Sequence, residues 1–185
     1  LIEKHSGSFS TDTAKRNITY LDNFLKAQAQ KYGEDHVKAM IVPNAVEILK
    51  DKLPDYAVAE EEGNYLREIR TQIPEKLFFD AEPILEAHKE EPIYYKTDHH
   101  WKTLAARYVY EAWADSIDLP IVPISEYREE TLTEDFHGTI DAKVNIKIPG
   151  DSIECYKPVT EIPYTLTYNH SEERTSLYDD SYLEG

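Results

Sequence analysis

The feature that most constrains this chain is an alternation of short apolar runs with amphipathic stretches over its first 117 residues. Ile18, Leu21, Phe24 and Leu25 predict one side of a helix from Thr11 to Tyr32, closed by Gly33. Val37 to Val42 is nearly all apolar and reads as a buried strand, broken by Pro43. Asn44 with Glu47 resembles a capping box and opens a short helix that stops near Leu53-Pro54. Tyr65, Leu66, Ile69 and Ile73 line a further helix ahead of Pro74. Leu77-Phe78-Phe79 predicts a second buried strand, Pro83 to His88 a short helix, and Ile93-Tyr94-Tyr95 a third strand. Trp101, Leu104, Ala105, Tyr108, Val109, Ala112 and Trp113 then trace one face of a long helix. Strands and helices in this order predict an α/β fold, a parallel sheet with flanking helices.

The texture changes after Leu119-Pro120, which divides an α/β part, 1–120, from a segment 121–185. Val144 to Ile148 alternates with period two, Pro149-Gly150-Asp151-Ser152 carries turn residues, and Ile153 to Lys157 continues as a strand. A β-hairpin with Ser152 in its turn is expected there. Ile162 to Thr167 is a further strand candidate, and a polar, acidic tail follows from Asn169.

Composition removes several classes of function. The chain has 185 residues, enough for one domain with a core. With 20 basic against 36 acidic residues its formal charge is −16, which argues against nucleic acid and against an anionic membrane surface as partners. The 41% of hydrophobic residues, 14 Tyr and 2 Trp are not those of a disordered chain. Cys155 is the single cysteine, so an internal disulfide and a four-cysteine zinc site are impossible. Its neighbours Glu154 and Tyr156 offer nothing that would activate a thiol, and it reads as a small half-buried residue. No run approaches the ~20 apolar residues of a membrane span. A start at Leu1 is compatible with a signal or anchor removed upstream.

Chemistry concentrates in Asp98-His99-His100-Trp101, at the junction of the third strand and the long helix. In an extended junction Asp98 and His100 point to the same side and His99 points away. A carboxylate that holds Nδ1 of a histidine leaves Nε2 to take a proton from a nucleophile. The nearby helix N-terminus favours the neutral ring, and Trp101 packs the helix start and limits water. Two blander readings compete: polar groups that merely precede a helix, and a metal site made by Asp98, His99 and His100. The second lacks a further cluster with ligand spacing.

Thr97-Asp98-His99-His100-Trp101 resembles the signature of the bacterial DHHW family. The wider stretch, about Val37 to Trp113, resembles the alginate O-acetyltransferase-like branch of the SGNH hydrolases. Ile41-Val42-Pro43, Leu53-Pro54, Leu77-Phe78-Phe79-Asp80, Ile93-Tyr94-Tyr95 and Asp98-His99-His100-Trp101 occur in the order found in that branch. Lys102 departs from it, since a threonine is usual there. The resemblance implies an SGNH-hydrolase-like (flavodoxin-like) fold, incomplete in this chain, with a β-rich C-terminal segment. It implies a serine acyl-enzyme with His100 as base and then acid, Asp98 orienting it, and His99 and Trp101 shaping the site. It further implies an extracytoplasmic protein, secreted or membrane-anchored. That protein would move O-acyl groups, chiefly acetyl, on a cell-surface glycan, receive them from a membrane-bound acyl donor protein, and need no metal or organic cofactor.

The nucleophile is the missing part. Gly150-Asp151-Ser152 has the letters of a serine block, but Pro149 precedes it and a strand-like run follows where a helix should start. Ser152 is therefore a minor alternative, and Ser181, with no apolar strand before it, a weaker one. In the relatives the serine block lies downstream of Asp-x-His, so here it is expected beyond Gly185. Two rival functions remain: a non-catalytic glycan-binding or assembly module that uses the tyrosine-rich surface, and a metal-dependent phosphoesterase.

Overall fold

The computed structural model describes residues 11–57, 62–144, 147–160 and 163–175. Helix α1, Asp12–Tyr32, starts where the Thr11 hydroxyl accepts the Ala14 N–H at 3.1 Å. Strand β1, Ala39–Ile41, leads into a single-turn helix α2, Ala45–Ile48. Helix α3, Glu62–Gln72, follows, then strand β2, Phe78–Asp80, and helix α4, Glu82–Ala87. Helix α5 is Thr103–Asp115. Four strands complete the described chain: β3, Tyr127–Phe136; β4, Asp151–Pro158; β5, Leu166–Tyr168; and β6, Glu172–Arg174.

β1 and β2 pair in parallel, with Met40 opposite Phe79. Strand residues alternate between faces, so the two strands divide their side chains between two cores. Ala39, Ile41 and Phe78 pack on Ile18, Leu25, Ala29, Ile69, Ile73 and Leu77, the core under α1 and α3. Phe79 and Val42 pack on Ile48, Ala81, Leu85, Ile93, Ala105 and Val109, the core under α4 and α5. A parallel sheet covered by helices on both faces is the layered α/β arrangement that the alternating sequence predicts.

Several local expectations need correction. Phe24 is 58% exposed, so the buried stripe of α1 runs through Ile18, Leu25 and Ala29 with Leu21 beside it. Met40 is 44% exposed because, among the described residues, β1 has one neighbouring strand and lacks full cover on this side. Asn44 caps α2 without a side-chain bond; its amide and main-chain N–H reach the Glu62 carboxylate at 3.2–3.3 Å, and Glu47 accepts the Gly63 N–H at 2.9 Å. The expected capping box is thus opened, and its two polar residues tie α2 to the start of α3.

Ile93-Tyr94-Tyr95 does not join the parallel sheet. Tyr94 makes one antiparallel bridge with Trp101, and Lys102 N–H donates to the Ile93 carbonyl at 2.8 Å. The Tyr94 hydroxyl donates to the Pro43 carbonyl at 2.6 Å, which pins the segment to the end of β1. Residues 94–101 therefore form a closed loop, with Thr97, Asp98 and His99 at its tip.

The expected hairpin is also different. β4 pairs antiparallel with β3, from Tyr127 opposite Pro158 to Phe136 opposite Asp151, while Val144 and residues 147–148 lie in no strand. Residues 145–146 of the proposed strand lie outside the described residues. The reason is visible at Gly150, where a Cβ would stand 2.8 Å from the main chain of Asp135: the residue lets the end of β3 cross close to β4. Ser152 is consequently inside β4 and not in a turn. Of the candidate strand 162–167, Ile162 lies outside the described residues, and Leu166 to Tyr168 pairs with β6.

β4 is fixed to α5 by the Thr103 hydroxyl, which donates to the Glu154 carbonyl at 2.7 Å. Arg107 of α5 lies over the Tyr127 ring at 5.0 Å. On the other side of α5, Met40, Phe79, Trp101, Tyr110 and Trp113 line an open apolar trough of about 310 Å³. No helix among the described residues is long and apolar enough to cross a membrane.

Candidate active site

The loop tip is built from two directions. From within, Asp151 at the start of β4 accepts the main-chain N–H groups of Lys96 and Thr97 at 2.9 and 2.8 Å, and the Thr97 hydroxyl at 2.7 Å. From the loop after β3, Ile140 and Asp141 N–H donate to the Thr97 carbonyl at 3.0 and 3.1 Å. Thr97 is fully buried, and Asp98 is 5% exposed. Gly138 passes so close that a Cβ there would overlap the Asp98 Cβ and stand 2.7 Å from Oδ2 and 2.8 Å from the Thr97 carbonyl. Only a glycine permits that approach.

The two Asp98 oxygens have separate partners. Oδ1 accepts the His100 main-chain N–H at 2.9 Å and the His100 ring at Nδ1. Oδ2 accepts the main-chain N–H and the hydroxyl of Thr139, both at 2.9 Å. Burial pushes the Asp98 carboxyl up, but the N–H groups of Thr139 and His100, with the His100 ring and the Thr139 hydroxyl, outweigh it. They hold the carboxyl well below the usual carboxylate range. An ionised carboxylate only accepts, so the His100 proton sits on Nδ1 and the lone pair of the neutral ring on Nε2. The His100 side chain is 67% exposed, and no hydrogen bond engages Nε2 among the described residues. A neutral imidazole held this way is a proton acceptor open to solvent.

The i to i+2 spacing therefore brings Asp98 and His100 together as expected. His99 does not point away: its ring lies 4.0 Å from that of His100, and Nδ1 contacts the Thr139 hydroxyl at 3.1 Å. The tip is a tight turn and not an extended strand end, so neighbouring side chains crowd on one side. Trp101 is half-buried against the α4–α5 core and lines the apolar trough, which includes neither Asp98 nor His100.

Asp98, His99 and His100 each offer a ligand atom, all within 4.8 Å of one another. Asp98 already accepts four hydrogen bonds, so a metal would have to displace the contacts that build the loop. The Ser152 hydroxyl donates to Glu154 and accepts from Lys102 Nζ at 3.2 Å; Lys102 also pairs with Glu154 at 3.3 Å. Cys155 is buried. Ser181 lies outside the described residues. Sequence reasoning missed Gly138, Thr139 and Asp151 as builders of the site. Asp151 carries a sequence signal only as part of Pro149-Gly150-Asp151-Ser152, a turn or a serine block by its letters, and neither reading points to its hydrogen bonds with residues 96–97.

With this geometry in view, the family model described as "SGNH hydrolase-like domain, acetyltransferase AlgX" matches residues 8–181. The chain belongs to that family. No curated protein matches the sequence significantly. Among solved structures, a DHHW family protein from Eubacterium siraeum is 26% identical, with a TM-score of 0.59 over 85% of this chain and 50% of its own. Bacillus cereus PatB1, in a structure with a sulfonyl adduct, is 17% identical, with a TM-score of 0.62 over 95% of this chain and 60% of its own. The O-acetyltransferase domain of Pseudomonas putida AlgJ is 18% identical, with a TM-score of 0.57 over 83% of this chain and 61% of its own. The chain thus spans 50–61% of the length of these structures. It is an SGNH-like acetyltransferase-type domain of α/β architecture, with antiparallel strands toward its C-terminus.

Proposed function

We propose that this AlgX-type domain supplies the Asp–His half of a serine acyl-transfer site, with His100 as the proton carrier and Asp98 as its orienting carboxylate. The observation that carries the reading is the Asp98 carboxylate, buried and ionised, on Nδ1 of an exposed His100. In the reaction a serine oxygen attacks the carbonyl of an O-acyl donor while His100 Nε2 takes the serine proton. The same proton then goes to the departing alkoxide, which leaves a serine ester. An acceptor hydroxyl, deprotonated by Nε2, or a water, reverses the step.

The serine is assigned to the part of the fold beyond this chain. The bonding of Ser152 to Glu154 and Lys102 speaks against it as nucleophile, because a lysine paired with a glutamate is a poor base. The substrate proposed is an O-acetylated glycan of the cell surface, in an extracytoplasmic protein, with a membrane-bound acyl donor protein as partner for transfer. Similarity to proteins named as O-acetyltransferases supports the acetyl group.

The experiment is incubation of the 185-residue chain and the full-length protein with p-nitrophenyl acetate, followed by intact mass. An acetyl adduct is expected only on the full-length protein, and is abolished by His100→Ala. An adduct on the short chain that disappears with Ser152→Ala would sink the proposal and make Ser152 the nucleophile.

A further inference from the structure

Half of the hydrogen bonds to Asp98 come from one residue 41 positions away in sequence. Thr139 donates both its main-chain N–H and its hydroxyl to Oδ2, the oxygen that His100 does not use. A hydroxyl has one proton, and that proton points at the carboxylate. His99 Nδ1 lies 3.1 Å from the same hydroxyl oxygen, so this contact is a hydrogen bond only when Nδ1 carries a proton and donates. The neutral His99 ring then has its proton on Nδ1, as His100 does.

We propose that Thr139 is a positioning residue of the acyl-transfer site: it clamps Asp98 by Oδ2, so that Oδ1 stays aimed at His100, and through the same hydroxyl it fixes the tautomer and place of His99 beside the His100 ring. The inference rests on the reading of His100 as the proton carrier. Without the clamp, Oδ2 loses its partners and the carboxylate is held only through Oδ1, by the main chain and ring of His100 itself, so the Oδ1–Nδ1 contact is less sharply directed. His99, at 4.0 Å between ring centres, forms one wall of the space around His100, and its Nδ1 is hydrogen-bonded to Thr139 while lying 3.7 Å from Asp98 Oδ1. Gly138 is what lets Thr139 reach this position, since any side chain there meets Asp98. The loop after β3 is therefore part of the site, although nothing in it touches His100 in sequence.

The test has two arms. In the first, ¹⁵N-labelled chain is observed by long-range imidazole proton–nitrogen correlation at a pH where both rings are neutral. Wild type is expected to show His99 and His100 with the proton on Nδ1. Thr139→Val keeps the volume and the main-chain N–H but loses the hydroxyl; His99 is expected to lose its fixed tautomer while His100 keeps Nδ1–H. Thr139→Ala gives the same change if the valine variant does not fold, and Thr139→Ser restores the wild-type spectrum. In the second arm, kcat of the full-length protein for p-nitrophenyl acetate is expected to fall roughly tenfold to a hundredfold in Thr139→Val, the range for losing one hydrogen bond to a charged group, and KM to change less than about twofold. The serine variant recovers most of it. An unchanged His99 tautomer in Thr139→Val and Thr139→Ala, or no recovery with serine, overturns the clamp. A full-length wild-type protein without any esterase or transferase activity overturns the acyl-transfer reading instead, and the imidazole spectra separate that failure from failure of the clamp.

Discussion

Asp98 is the residue on which the site's electrostatics turn. Its carboxyl is held below the usual range, so the sign of its linkage to stability is fixed: the contribution is present above the unfolded value, about 4, and is lost as pH falls through the lower folded value. Asp98→Asn should therefore be less stable than wild type at pH 7, and the gap should close as pH falls from about 5 toward 2. Urea midpoints of both proteins across that range test this; a gap independent of pH would contradict it. The same substitution in the full-length protein replaces an acceptor by an amide that can force the wrong imidazole tautomer. On the proposed acyl-transfer reading, an activity loss of roughly 10³- to 10⁴-fold with little change in KM is expected, the size found for the orienting carboxylate of a serine triad.

At the scale of elements, the loop tip is held by the start of β4 and the turn after β3, two pieces far from it in sequence. Asp151, itself buried, satisfies two main-chain N–H groups and one hydroxyl of residues 96–97; the two bonds to Thr97 are buried and the one to Lys96 is partly so. Asp151→Ala leaves those donors without their acceptor and should cost about 2–4 kcal/mol in urea unfolding. Asp151→Asn, which retains one acceptor oxygen, should cost less. Gly138→Ala drives a methyl group into Asp98 and the Thr97 carbonyl, and should cost about 1–3 kcal/mol while displacing the carboxylate from His100. Equal stability of Gly138→Ala and wild type would show that the loop can retreat without penalty.

For the whole molecule, the consequential surface is the trough between α5 and the paired strands. Met40, Tyr110, Trp101 and Trp113 present an apolar concavity of about 310 Å³, beside a parallel sheet that has two strands among the described residues. Parallel strands are ordinarily covered on both faces, so such a surface attracts apolar partners, including other copies of the chain. The 185-residue chain should bind an apolar fluorescent dye and self-associate as concentration rises. Met40→Lys should lower dye binding severalfold with little loss of stability, because Met40 is already 44% exposed. Undiminished dye binding in that variant would place the sticky surface elsewhere.

The sequence by itself determined the helices α1, α3, α4 and α5, the two parallel strands and the pairing of Asp98 with His100. These are local facts, set by 3.6-residue apolar periodicity, by proline and glycine stops, and by two side chains two residues apart. Family membership was legible for the same reason, since the Asp-His-His-Trp block and the apolar runs before it are contiguous motifs. What only the tertiary structure decided lies in contacts between distant segments. Ile93-Tyr94-Tyr95 has the composition of a sheet strand, yet closes on Trp101 because the Tyr94 hydroxyl is fastened to Pro43. Val144 to Ile148 alternates like a strand, yet β4 takes β3 as partner because Gly150 lets Asp135 approach. The roles of Gly138, Thr139 and Asp151 appear only when these three residues come to lie against residues 96–98. Long-range hydrogen bonds leave no periodic mark in a sequence, and the orientation of His100 depends on them as much as on its neighbour Asp98.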